Sequence, residues 1–253
     1  MPNPRILIEA CIDSVESALA AEAGGAGRVE LCDNLIEGAT TPSAGTIAEC
    51  RARIRIPIFA MIRPRGGDFL YSEIEYEVMR RDIAHAKAFG VDGVVLGLLR
   101  RDGTVDIERT RPLVDAARPL AVTFHRAIDV ARDPEEALDA LVAMGVDRVL
   151  TSGQAPTALE GAGVIAALVR RAAGRIVILP GGGVNEGNVR QVIAEAGARE
   201  VHVRGTSPVR SPMAHRNPRV SFRSTVEADD FVLKVTDAER IRRMAALLAG
   251  SAG

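Results

Sequence analysis

One five-residue phrase recurs four times along the chain and constrains the fold more than any other feature. It reads Gly25-Ala-Gly-Arg-Val29, Gly90-Val-Asp-Gly-Val94, Gly145-Val-Asp-Arg-Val149 and Gly197-Ala-Arg-Glu-Val201. Each copy follows a helical pattern and leads into a short apolar run. That is the signature of a helix end, a left-handed glycine cap and a loop into a strand. Between the copies lie further strands, two of them entered through Pro57 and Pro119.

The spacing predicts strands at 6–9, 28–31, 58–62, 93–96, 121–124, 148–150, 176–179 and 200–202. These runs are apolar almost residue by residue, as expected of strands covered on both faces. Asp13/Glu16, Ser72/Glu75, Asp133/Glu136 and Thr236/Glu239 have capping-box spacing, with Pro42 and Pro134 suited to first helical turns. Eight βα units with right-handed crossovers in about 250 residues predict an α/β (β/α)8 TIM barrel, with 1–253 as one domain. A doubly wound open sheet is the alternative. The segment 204–233, before the last helix, breaks the pattern and reads as irregular, either a lid or an oligomer contact.

Composition narrows the function. Hydrophobic residues make up 47% of the chain, enough for a large core, while the net charge of −1 gives no field to hold nucleic acid. Aromatics are only 3% with no Trp, so base-stacking platforms are not expected either. No apolar run is long enough for a membrane span. The opening Met1-Pro-Asn-Pro-Arg5 runs into a strand without a signal-peptide pattern. Three cysteines do not make a disulfide framework and fit a reducing cytoplasm.

In a barrel of this kind, polar residues at the carboxyl ends of the strands carry function. Here these are Glu9 and Cys11, Glu30 and Cys32, Arg63 and Arg65, His125 and Arg126, Thr151 and Ser152, Gly181 to Gly183, and His202. Glu9-Ala-Cys11 and Glu30-Leu-Cys32 share an i, i+2 spacing, so each carboxylate and thiol face the same way. Neighbouring strands then bring thiol toward thiol at the rim and carboxylate toward carboxylate one layer deeper. Such a thiol pair suits a soft ion such as Cu(I), though two small thiols also fill space well. Cys50 reads as core.

Arg63 and Arg65 stand in a glycine-containing loop that can grip an anion, with Asp68 as an internal partner for either. Gly181, Gly182 and Gly183 precede a helix near Asn188 and suit phosphate. Arg126 and Ser152 extend that anion-binding set. Glu9, Glu30, His125 and His202 are candidate catalytic groups, with Asp129 placed to fix the His125 tautomer. His85 and His215 fall away from strand ends. So do the only lysines, Lys87 and Lys234, which disfavours Schiff-base chemistry.

These residues carry a resemblance. Glu9-x-Cys11, Arg28-Val-Glu-Leu-Cys32, Thr41-Pro-Ser, Ile62-Arg-Pro-Arg-Gly-Gly-Asp-Phe69, Val122-Thr-Phe-His-Arg-Ala127, Leu150-Thr-Ser-Gly153, Pro180-Gly-Gly-Gly183 and Ser211-Pro-Met resemble the phrases of the CutC family. The resemblance spans nearly the whole chain. It implies a cytoplasmic TIM barrel, a homo-oligomer (dimer or tetramer), and a role in copper homeostasis with Cys11 and Cys32 as Cu(I) ligands. It departs after the strand-8 histidine, where His202-Val-Arg-Gly replaces the small Ser or Cys often found there. Two functions follow as expectations. One is Cu(I) binding at the thiols. The other is an enzyme acting on a small anionic or phosphorylated metabolite by proton-transfer or hydrolytic chemistry.

Overall fold

The computed structural model describes residues 6–220 and 229–250. Eight parallel strands stand in the order β7-β6-β5-β4-β3-β2-β1-β8. In chain order they are β1 (Leu7–Ile12), β2 (Arg28–Leu31), β3 (Ile58–Met61), β4 (Gly93–Leu96), β5 (Ala121–Phe124), β6 (Arg148–Thr151), β7 (Val177–Pro180) and β8 (Glu200–Val203). β7 and β8 pack side by side and bring the sheet round to a near-closed cylinder. Helices α1 (Val15–Gly24), α2 (Ala44–Arg53), α3 (Glu73–Ala88), α4 (Ile107–Ala117), α5 (Pro134–Ala143), α6 (Ala162–Ala172), α7 (Val189–Ala196) and α8 (Ala238–Ala249) surround it. This is the TIM barrel that the repeat predicts.

The repeated phrase acts as read. Gly25, Gly90, Gly145 and Gly197 all take positive φ, between 66° and 89°, where a side chain would clash with its own backbone. The helix starts differ in detail. Ser72 and Glu75 form a reciprocal capping box, and Asp133 caps α5 with Pro134 in its first turn. Ser14, rather than Asp13, caps α1 by accepting from Ser17 N–H. Asp237, rather than Thr236, caps α8. Pro42 lies outside α2, which begins after its Ser43 cap. In each of these three cases a better-placed short polar side chain stands one residue nearer the helix.

The segment after β8 also differs from its irregular reading. β9 (Thr206–Arg210) and β10 (Val232–Thr236) pair antiparallel as a separate arm. Part of that segment, 221–228, lies outside the described residues. The mix of small, polar and Pro residues in β9 hides the strand period.

The core is divided by the strand wall. The larger apolar cluster packs the outer face of the sheet against the helices and includes Val29, Phe124 and Leu138. A second, smaller cluster holds Cys11, Cys32, Phe59, Met61 and Val95. Charged groups share the interior of the cylinder, with Glu9, Arg28, Arg148, Glu200 and His202 joined in ion pairs.

Candidate functional site

The fourth residue of each repeated phrase points into the amino end of the cylinder: Arg28, Gly93, Arg148 and Glu200. Arg28 Nη2 lies 2.6 Å from Glu200, and Arg148 Nε lies 3.1 Å from the same carboxylate. Both guanidiniums stack on Phe59, at 4.8 and 5.2 Å. Gly93 makes room for that ring, since a Cβ there would stand 2.7 Å from it. The even-numbered strands thus supply one layer of a barrel interior.

Above this layer the register sets Glu9 between Arg28 on β2 and His202 on β8. Glu9 accepts from Arg28 Nε at 2.5 Å and meets His202 Nδ1 at 2.8 Å. It is fully buried and forms no part of the cavity wall. Burial pushes its carboxyl up, but Arg28 and His202 outweigh burial and bring it down to about 2. Burial alone would drive His202 toward neutrality. Glu30, Cys11 and Glu9 overcome that and hold the imidazole well above its ordinary range.

The strands are offset by two residues relative to the side-by-side arrangement expected from sequence. Cys11 faces Glu30 in the ladder, not Cys32. Ligand atoms of Cys11, Glu30 and Cys32 nevertheless lie within 4.8 Å of one another, and so do those of Glu9, Glu30 and His202. Cys32 Sγ is 3.4 Å from Glu30 Oε2, and Glu30 Oε1 has no partner. Charge is distributed unevenly in this group. Cys32 as donor and His202 hold the Cys11 thiol well below its usual value, while burial and the neighbouring Cys11 push Cys32 well above. Burial likewise raises Glu30. Arg148, Glu200, Arg28 and Glu9 cancel pairwise, so the His202 imidazolium needs one negative charge. Glu30 and Cys11 are the groups placed to answer it.

A cavity of about 420 Å³ opens above these groups, with Cys11, Glu30, Arg63, His125 and His202 in its wall. Far-separated strand-end residues therefore meet at one mouth. Arg126, Gly182 and Gly183 also line it, whereas Gly181 lies beneath against Leu150 and His202. Arg65 stands outside the wall, tied to Glu75 and Asp68. Asp129 has a different partner from the one expected. It binds Arg126, Thr151 and the Ser152 N–H, while Ser152 Oγ accepts from Arg126 Nη2 at 2.7 Å. The His125 tautomer is fixed by backbone instead, since Ala127 N–H donates to Nδ1 at 3.2 Å. The proton then resides on Nε2. Burial and Arg63 push the imidazole down to about 3, so His125 presents a neutral Nε2–H donor at pH 7.

Gly97, just past β4, keeps this ring in place. A Cβ there would fall 2.5 Å from two ring atoms of His125. Gly97→Ala is expected to cost about 1–3 kcal/mol in urea unfolding and to break the Ala127–His125 bond. An unchanged unfolding midpoint would refute that packing.

With the site in view, the comparisons are decisive. The CutC family model matches residues 6–207. The chain belongs to the CutC family. It is 48% identical to a mouse (Mus musculus) relative, copper homeostasis protein cutC homolog, over 95% of this chain and 89% of that one. A CutC family protein of Chromobacterium violaceum is 47% identical over 94% of this chain and 96% of its own length. The crystal structure of a CutC protein from Streptococcus agalactiae superposes with a TM-score of 0.75 at 37% identity, covering 78% of this chain and 97% of the other. A more distant likeness, to thiamine phosphate pyrophosphorylase of Pyrococcus furiosus (TM-score 0.59, 17% identity, 98% of each chain), shows the barrel fold alone.

Sequence reasoning missed the CutC-family interior. Arg28, Arg148 and Glu200 sit at strand beginnings, where function is not expected, yet the repeated phrase marks them all. Phe69 and Arg204, both in the cavity wall, were also missed. Each lies one or more residues past a strand, where no period applies.

Proposed function

We propose that this CutC-family protein serves copper homeostasis by holding Cu(I) between Cys11 and Cys32 at the barrel mouth. The observation that carries this reading is the pair of buried thiols within 4.8 Å of each other, one of them held toward thiolate. Two thiolates in low coordination match a soft monovalent ion and match Mg2+ or Ca2+ poorly. The donor set fits, and Glu30 has a place in it. Its Oε2 is the nearest acceptor for the Cys32 proton that a metal displaces.

Anaerobic titration of reduced protein against a competing Cu(I) chelator tests the proposal. Cys11→Ser with Cys32→Ser should weaken Cu(I) binding by more than about 100-fold, since losing even an outer-shell partner typically costs about 10–100-fold. Affinity in the parent should rise with pH, because Cys32 must lose a proton that burial makes hard to release. A double-serine protein binding as tightly as the parent sinks the proposal.

Several further readings go with it. All three cysteines are free and buried, in keeping with a reducing cytoplasm. No helix among the described residues is long and apolar enough to cross a membrane. The arm is tied back by Thr236 N–H donating to Ser17 Oγ of α1, which supports one domain over 1–253. Val209, Leu233 and Met213, exposed on or beside that arm, support a homo-oligomer, dimer or tetramer.

A further inference from the structure

The cavity wall carries two buried donors that the thiol site does not use. Arg63, just past β3, is only 4% exposed. Its terminal nitrogens donate to the carbonyls of Glu37, Ala39 and Gly67, at 3.0, 2.6 and 2.8 Å. These bonds orient the guanidinium but do not neutralise it. No ion pair joins it to a carboxylate among the described residues, and its buried Nε–H makes no hydrogen bond, with only the neutral Tyr71 hydroxyl close to the guanidinium. His125 is equally buried, and its Nε2–H also has no acceptor. The two groups are neighbours across Phe69. The His125 ring centroid lies 4.9 Å from that of Phe69, and the Arg63 guanidinium lies 5.1 Å from the same ring.

A buried cation without a counter-ion, beside buried donors without acceptors, is costly unless a ligand completes it. We infer that the mouth also binds a small organic oxyanion, a carboxylate or a phosphate monoester, which accepts hydrogen bonds from Arg63 Nε–H and His125 Nε2–H. Neither donor can accept, so the ligand atom facing them must be an acceptor. A neutral carbonyl would satisfy the donors but leave the Arg63 charge uncompensated. A metal cation is repelled there. Arg204, also in the wall, donates only to Leu35 O and has no carboxylate partner among the described residues, which adds to the positive potential. The rest of the wall includes Met61, Phe69, Leu150 and Val184, an apolar lining suited to a carbon skeleton. A volume near 420 Å³ is in the range of small-molecule sites. With its proton on Nε2, neutral His125 donates without adding a second buried charge beside Arg63, as when a neutral imidazole polarises an oxygen elsewhere.

The test uses copper-free, full-length protein and matched probes: glycerol 3-phosphate against glycerol, and lactate against lactamide, with inorganic phosphate alone. In protein labelled with 15N-histidine, the His125 Nε2–H resonance, assigned with His125→Gln, reports the contact directly. At about 10 mM probe, well above a millimolar dissociation constant, at least one organic anion is expected to shift that resonance downfield. Its neutral match should leave the resonance unmoved. The phosphate and carboxylate arms decide between the two sources. Arg63→Lys keeps the charge but removes the Nε–H, and should weaken the anion about tenfold or more by calorimetry. If no anion moves the resonance, or if glycerol and lactamide bind as well as their charged partners, the inference is overturned. An anion-binding result for inorganic phosphate alone, with no organic probe preferred, also overturns it. None of these probes reports on the thiols, so failure here leaves the Cu(I) reading standing, and the reverse.

Discussion

Arg28→Met should destabilise the protein by about 3–5 kcal/mol, the usual cost of removing one partner from a buried ion pair. Arg28 is 3% exposed and pairs with two carboxylates, from β1 and β8, while stacking on Phe59. A methionine replaces most of the volume but none of the charge. Glu9, fully buried, is then left with His202 alone. Adding Glu9→Gln to Arg28→Met should recover part of the loss, because the stranded charge disappears with it. The interaction free energy of that double-mutant cycle measures the pair. Arg132→Met is the control. Its partner Glu136 lies on an exposed helix face, so the change there should stay under about 1 kcal/mol. Equal effects at Arg28 and Arg132 in urea unfolding would refute a structural role for the interior network.

Stability should also fall steeply between about pH 6.5 and pH 3, by up to about 5 kcal/mol from His125 alone. In the unfolded chain a histidine titrates near 6.5. Folded, burial and Arg63 hold His125 to about 3. Within that window the unfolded state binds the extra proton, so stability rises with pH and drains away on acidification. Glu9 extends the loss. Its folded value of about 2 lies below the unfolded one, so its contribution is present above about pH 4.5 and is lost as pH drops toward 2. His202 has the opposite sign. Its raised value gives stability that is complete below 6.5 and is lost as pH rises from there through its folded pKa, so it adds no slope in the acid window. Urea unfolding at pH 7, 5 and 4 reads the slope, and His125→Gln should flatten it by about one proton between pH 6.5 and 4. An unaltered slope in that variant would assign the acid sensitivity elsewhere.

The barrel was legible because its signal is periodic. The phrase at Gly25, Gly90, Gly145 and Gly197 reports backbone geometry that only a few residues tolerate, and it recurs at every second strand. The site was legible as a set of strand ends, since Cys11, Glu30, Arg63, His125 and His202 do share one cavity. Their roles were not. Which nitrogen of His125 holds the proton depends on Ala127 N–H, a backbone group that has no letter in the sequence. Whether Arg65 or Arg63 faces the mouth depends on loop closure, which in this chain turns Arg65 toward Glu75 on α3. The two-residue stagger that sets Cys11 against Glu30 is a property of the closed cylinder, not of either strand.

Because the outer cluster wraps the strands in apolar side chains while the inside carries a network of ionised ones, the two faces of the strands obey different rules of substitution. On the helix side, a methylene gained or lost is a matter of packing, and neighbours can shift. On the axial side, Arg28, Glu9, Glu200, Arg148 and His202 are joined by ion pairs, so any one replacement strands another. New specificities in this lineage should therefore arise by remodelling the loops around the mouth, above a floor that changes only as a unit.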